Sequence, residues 1–135
     1  ATLIKLIDEK LGSVRVKFYP GVSYRHLMVV KAGAADYLDE TCCLAPHDIA
    51  GESITKNLPK GKSSDFLIKL MRDSRKLLES DEINLVRIDL KENPANMIWL
   101  WGQGRKPDFP KFFDKYGIKG SIISAVDLLK GLGRI

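Results

Sequence analysis

Asn96-Met-Ile-Trp-Leu-Trp-Gly-Gln-Gly-Arg-Lys-Pro107 carries an unbroken apolar run straight into two glycines and a pair of cations. Residues 97–101 are large apolar side chains with no polar alternation, the pattern of a strand covered on both faces. Gly102 and Gly104 free the backbone for tight or left-handed geometry. Arg105 and Lys106 are then presented at the carboxyl end of the strand, where open sheets hold ligands. On this reading Trp99 and Trp101 belong to the core, and Arg105 with Gln103 and Lys106 forms the leading candidate site. The competing reading leaves the glycines a tight connection and Arg105 solvated.

Working outward, the periodicities alternate between helix and strand. Leu3, Ile4, Ile7 and Leu11 share a helical face, with Gly12 where a C-terminal cap belongs. Residues 14–19 alternate into the turn Pro20-Gly21, and 27–31 follow as a second strand. Residues 32–62 have weak periodicity and several Gly and Pro, a long irregular connection of a kind usually functional or mobile. A helix follows with Leu67, Leu70, Met71, Ser74, Leu77 and Leu78 on one face, its free amides within reach of Ser63 or Ser64. Residues 83–90 alternate Ile, Leu, Val, Ile and Leu, which favours a strand over an extension of that helix. Beyond the Trp run, Asp108 and Pro110 open a helix through Lys115 that Gly117 stops, residues 121–124 make a strand, and 126–130 a helix. The class is α+β: a mixed open sheet with helices mainly on one face, as in a ferredoxin-like plait, or alternatively a three-layer α/β/α arrangement.

The chain has 135 residues, 44% of them hydrophobic and 29% charged, an ordinary globular composition able to bury one core. No run approaches the length of a membrane span and no signal peptide is present, so a cytoplasmic, membrane-free setting is expected. The net charge of +5 is spread among acidic residues. That favours a small anionic ligand over nucleic acid, which would call for a basic stripe with interleaved aromatics. Cys42 and Cys43 are adjacent, read as reduced thiols, and are spaced wrongly for a zinc site with His47 and Asp48.

Two further candidate sites lie near turns. Arg25 and His26 follow Pro20-Gly21; a guanidinium fork and an imidazole together suit carboxylate or phosphate oxygens. In a regular strand the two would face opposite sides, so joint use needs a turn or bulge there. Otherwise Arg25 pairs with a surface carboxylate and His26 packs beneath the sheet. His47 and Asp48 lie in the long connection, as an oriented acid, base or phosphate donor, or as an Asx turn with an exposed imidazole. Three look-alikes fail. Gly61-Lys62-Ser63 lacks the P-loop glycine, which is Lys56; Gly102-Gln-Gly104 has Pro107 where a dinucleotide fingerprint needs its third glycine; and Ser124 with Asp127 has no His nearby in sequence.

The Trp run together with Phe18-Tyr-Pro-Gly-Val-Ser-Tyr-Arg-His-Leu27, Ala45-Pro-His-Asp-Ile49 and Gly120-Ser-Ile-Ile-Ser-Ala-Val-Asp-Leu-Leu-Lys-Gly131 closely resembles the archaeal-type, cofactor-independent phosphoglycerate mutases, which belong to the alkaline-phosphatase-like metalloenzymes. The likeness covers nearly the whole chain. It implies an isomerase of glycolysis and gluconeogenesis that interconverts 3-phosphoglycerate and 2-phosphoglycerate through a phosphoserine, with two divalent metal ions, manganese or similar. The family's phosphorylated serine and metal ligands have no counterpart here. The resemblance therefore implies a fragment, inactive alone and binding no metal: residues 1–118 an inserted substrate-binding cap, residues 119–135 a segment returning to the missing catalytic core. Its partners would be phosphoglycerate and that core. The substrate-facing set would be Arg25, His26, His47, Asp48, Gln103, Arg105 and Lys106, with Arg25, His26, His47, Asp48 and Arg105 serving substrate binding or proton transfer and none assigned a catalytic role outright. A stand-alone anion-binding regulatory module, or the cap of another phosphotransfer or phosphatase enzyme of the superfamily, are the alternatives.

Overall fold

The computed structural model describes residues 1–31, 33, 37–105 and 107–134. They fall into two compact units, Ala1–Gly104 and Arg105–Ile135. The first opens with helix α1, Thr2–Leu11, which buries Ile4 and Ile7 and ends where the Gly12 N–H donates to the Asp8 carbonyl. Strands β1, Val16–Tyr19, and β2, Leu27–Val30, form an antiparallel hairpin with Val16 opposite Val30 and Phe18 opposite Met28. The period of two places Val16 and Phe18 inward. The carboxylate of Asp8 ties helix to hairpin, accepting from the Phe18 N–H at 2.9 Å and from Lys17 Nζ at 3.4 Å.

Helix α2, Ser64–Glu79, buries Leu67, Leu70, Met71, Ser74 and Leu78, the face read from its spacing. Ser63 stands at its N-terminus, yet neither it nor Ser64 caps the helix amides; the Ser64 hydroxyl donates back to the Gly61 carbonyl at 2.7 Å. The core joins Ile4, Ile7, Val16, Phe18, Leu70 and Leu78. Full burial of side chains of this size stabilises by about 1.5–3 kcal/mol each.

The α+β class holds, while the sheet among the described residues is the β1–β2 hairpin alone, narrower than the mixed open sheet expected. Residues 83–90 are a helix, α3, Glu82–Asp89, and not a strand. Asp81 starts it, accepting from the Ile83 N–H at 2.9 Å, and Asn84 turns inward, only 1% exposed. The apolar alternation there lies largely on the surface: Leu85, Val86 and Ile88 are all more than half exposed.

Residues 97–101 run without a ladder partner. Side chains hold them instead of a neighbouring strand. Asn84 accepts from the Ala95 N–H at 2.9 Å and donates to the Ala95 and Leu78 carbonyls, each at 2.8 Å. Ser74 Oγ accepts from the Ile98 N–H at 3.0 Å while donating to the Met71 carbonyl at 2.7 Å. Ile98 and Leu100 pack against the core from this segment.

In the second unit, α4, Phe112–Tyr116, ends at Gly117, and α5, Asp127–Leu132, follows an irregular stretch. Residues 121–124 form no strand; the Ser124 hydroxyl accepts from the Val126 N–H at 3.0 Å and leads into α5. Among its described residues none is buried, and Phe112, Phe113, Ile118, Ile122 and Leu128 are exposed. No helix among the described residues of the chain is long and apolar enough to cross a membrane.

Candidate functional site

The turn between β1 and β2 shapes one wall of a cleft. Gly21 lies so close to the Arg25 carbonyl that a Cβ there would sit 2.4 Å from its oxygen, so the turn closes only around glycine. The Gly21 N–H donates to His26 Nδ1 at 3.1 Å, and the Arg25 N–H donates to the Val22 carbonyl at 3.1 Å. β2 begins only at Leu27, so Arg25 and His26 are still in the turn and are not alternated to opposite faces. Both line the cleft. The Arg25 guanidinium lies over the Tyr24 ring, 5.4 Å from its centre.

His26 has a defined state. Burial pushes its imidazole below the usual value. With Nδ1 accepting from Gly21, the neutral ring carries its proton on Nε2.

Pro46, His47 and residues 97–102 add further lining, and side chains stitch residues 41–48 to residues 97–103. Trp99 Nε1 donates to the Leu44 carbonyl at 2.8 Å, and the Gln103 amide donates to the Thr41 carbonyl. His47 meets the Trp101 ring edge-on at 5.4 Å between centres and sits 3.6 Å from Asp48 Oδ1. Gly102 takes φ +68°, a left-handed turn at the end of the Trp run.

The cleft measures about 1220 Å³ and is lined by Arg25, His26, His47, Arg87, Trp101 and Gly102 among others. Its floor is apolar, formed by Ile4, Ile7, Phe18, Met97 and Leu100. Two guanidiniums and two imidazoles face it, and among the described residues no Asp or Glu lines it. Such a lining attracts anions and repels cations.

The structure thus brings Arg25, His26 and His47 to one cleft. Asp48 touches the imidazole of His47 from outside the lining, and Gln103 is committed to the Thr41 carbonyl, holding the wall. Arg105 opens the second unit, and Lys106 lies outside the described residues. Trp101 is 46% exposed, a correction to its placement in the core: without flanking strands, one side of the run stays open. Arg87 was not singled out by sequence. Reading residues 83–90 as a helix would have placed it one turn beyond the inward Asn84. Cys42 and Cys43 are free thiols; burial, with the neighbouring Cys42, pushes the Cys43 thiol up.

Comparison with known proteins follows the same residues. The family model described as 2,3-bisphosphoglycerate-independent phosphoglycerate mutase matches residues 1–84, the span that includes Arg25, His26, His47 and Asp48. A curated relative of that name from Methanosarcina mazei is 50% identical over 133 residues, covering 97% of this chain and 32% of the relative. A probable enzyme of that name from Geobacter sulfurreducens is 43% identical over 131 residues, covering 97% of this chain and 32% of the relative. One from Sulfurisphaera tokodaii is 32% identical over 139 residues, covering 96% of this chain and 33% of the relative. The chain spans about a third of the length of the curated relatives it matches. No solved structure matches significantly. By family model and by relatives alike, the resemblance read from the sequence holds, and the chain belongs to the archaeal-type 2,3-bisphosphoglycerate-independent phosphoglycerate mutase family.

Proposed function

We propose that this chain is the substrate-binding cap of a phosphoglycerate mutase, and that its cleft holds the glycerate moiety while the phosphoryl group is transferred elsewhere in the enzyme. The observation that carries the reading is the lining: Arg25, His26 and His47 on one cleft with no acid among the described lining residues. Phosphoglycerate offers a carboxylate and a phosphate. A guanidinium fork can grip either with paired hydrogen bonds, and the Nε2–H of a neutral His26 adds a directional donor.

In such a scheme the chain's residues bind and orient. Holding the glycerate against the site of transfer makes return of the phosphoryl group effectively unimolecular, and closing off water favours isomerisation over hydrolysis. The apolar floor supplies that water-poor surface. At about 1220 Å³ the cleft exceeds the roughly 300–1,000 Å³ usual for small-molecule sites. The reading therefore needs further chain to narrow it. Residues 1–118 would be the cap, and 119–135 the return to the catalytic core. Arg105 and Lys106 belong to the proposed substrate set on the resemblance alone.

Two divalent ions, which the resemblance implies for the whole enzyme, do not fit the residues present. Among the described residues no three His, Cys, Asp or Glu side chains converge, and the cleft lining is cationic. The metals would be held by residues beyond this chain, and no step here passes through them.

Two or three charge-assisted hydrogen bonds supply about 1.5–3 kcal/mol each, and ordering the ligand takes back much of it. Binding of about millimolar strength follows. The test is titration of 3-phosphoglycerate into the isotope-labelled chain, followed by amide NMR, with sulfate at equal ionic strength as control. Saturable shifts at Arg25, His47 and Gly102 that sulfate does not reproduce are expected. Shifts identical with the two ligands would reject a glycerate site.

A further inference from the structure

We infer that Arg87 is the second anion-holding guanidinium of this cleft, reading the end of a doubly anionic ligand that Arg25 does not. The inference rests on the substrate-binding reading above and extends it to a residue on a different element. Arg25 is carried by the β1–β2 turn and Arg87 by α3, so the two cations approach the cleft from independent supports.

Three observations converge on Arg87. It is half-buried and lines the same cleft as Arg25, His26 and His47. Among the described residues its guanidinium has no hydrogen-bond or ion-pair partner, and no carboxylate lines the cleft to provide one. A cation without a partner beside an apolar floor favours an anion as its ligand. Finally, its direction is fixed. Asn84, three residues earlier and 1% exposed, bonds both the Leu78 carbonyl and the Ala95 backbone, which locks the rotation of α3 about its axis. Residues at i and i+3 share a helix face, so a fixed Asn84 fixes where Arg87 emerges.

Two guanidiniums match a ligand with two separated anionic groups, one carboxylate and one phosphate, better than a single inorganic anion. A protein that must keep hold of glycerate after its phosphate has left needs one cation that does not depend on that phosphate. Arg25 and Arg87 divide the work accordingly.

The test compares the wild-type chain with Arg87→Gln, Arg87→Lys and Arg25→Gln, each first checked for an unchanged amide spectrum away from the substitution. NMR titrations use 3-phosphoglycerate and its two halves, D-glycerate and inorganic phosphate. Arg87→Gln should weaken 3-phosphoglycerate about tenfold, weaken one half-ligand and leave the other unchanged. Arg25→Gln should show the opposite selectivity, and Arg87→Lys should restore part of the loss. General loosening of α3 would weaken both halves together and overturns the assignment. Wild-type affinity for all three ligands in Arg87→Gln, with loss in Arg25→Gln, overturns it too and leaves the cap reading standing. No saturable binding by the wild-type chain overturns both.

Discussion

Replacing Asn84 by Ala removes the clamp that substitutes for a neighbouring strand. Its side chain makes three hydrogen bonds of 2.8–2.9 Å, two donated by Nδ2 and one accepted by Oδ1. At about 1 kcal/mol net per bond the loss is about 3 kcal/mol, more if the Ala95 N–H is left dry and less where water re-enters. Ala95 is half-buried, so some water does reach it and about 2–3 kcal/mol is the expected figure. With a urea m-value of about 1.5 kcal/mol/M, the midpoint should fall by about 1.5 M with m unchanged. Urea titration followed by the fluorescence of Trp99 and Trp101, which the clamped segment carries, measures it. Asn84→Asp is the control. It keeps the acceptor for Ala95 but turns the donor into an oxygen facing two carbonyls, so at neutral pH it should be at least as damaging and should recover partly in acid, where a protonated carboxyl can donate again. A midpoint shift below about 0.3 M for Asn84→Ala would refute the idea that side chains, and not packing of Ile98 and Leu100 alone, hold the segment.

Other consequences are as direct. Asp8 is held below the usual carboxylate range by the Phe18 N–H first and by Lys17 as well, so it contributes stability that is present above the unfolded carboxylate value and lost as pH falls through its folded one. Asp8→Asn should flatten the acid limb of a stability–pH curve by lowering stability at neutrality, with little change in acid, where Asp8 is itself protonated. His26 is also depressed: the unfolded chain takes up a proton as pH falls through about 6.5, while the folded chain resists. Its ring resonances should titrate below that value with the Nε2–H tautomer, and 3-phosphoglycerate should raise the midpoint, because a bound anion favours the imidazolium. Ser74→Ala should cost about 1–2 kcal/mol in the same urea assay, since the half-buried Ile98 N–H loses its acceptor.

What sequence conveyed and what it withheld separate along physical lines. The inward faces of α1 and α2, the hairpin with its turn at Pro20-Gly21, and the stop at Gly117 are local signals, and each is where periodicity placed it. Residues 97–101 were legible as extended but not as unpaired, because a continuous apolar run says that a segment is covered and not by what. The cover is α1, α2 and the hairpin on one side, with polar anchors from Ser74 and Asn84 that look like ordinary helix residues in sequence. Residues 83–90 alternate as a strand would, and only the capping Asp81 and the long-range bond from Asn84 to Ala95 decide for helix. At the site, Arg25, His26 and His47 were readable as polar residues beside turns. Arg87 was hidden by the strand reading, and the bond from Gln103 to Thr41 by the 62 residues it spans.

Whether the cationic cleft receives phosphoglycerate is decided by a crystal structure of the chain soaked with 3-phosphoglycerate. Ligand density is expected on the apolar floor with oxygens within hydrogen-bond distance of the Arg25 guanidinium and of His26 Nε2 or His47. Ligand bound elsewhere, with the cleft holding only solvent at saturating concentration, would contradict it.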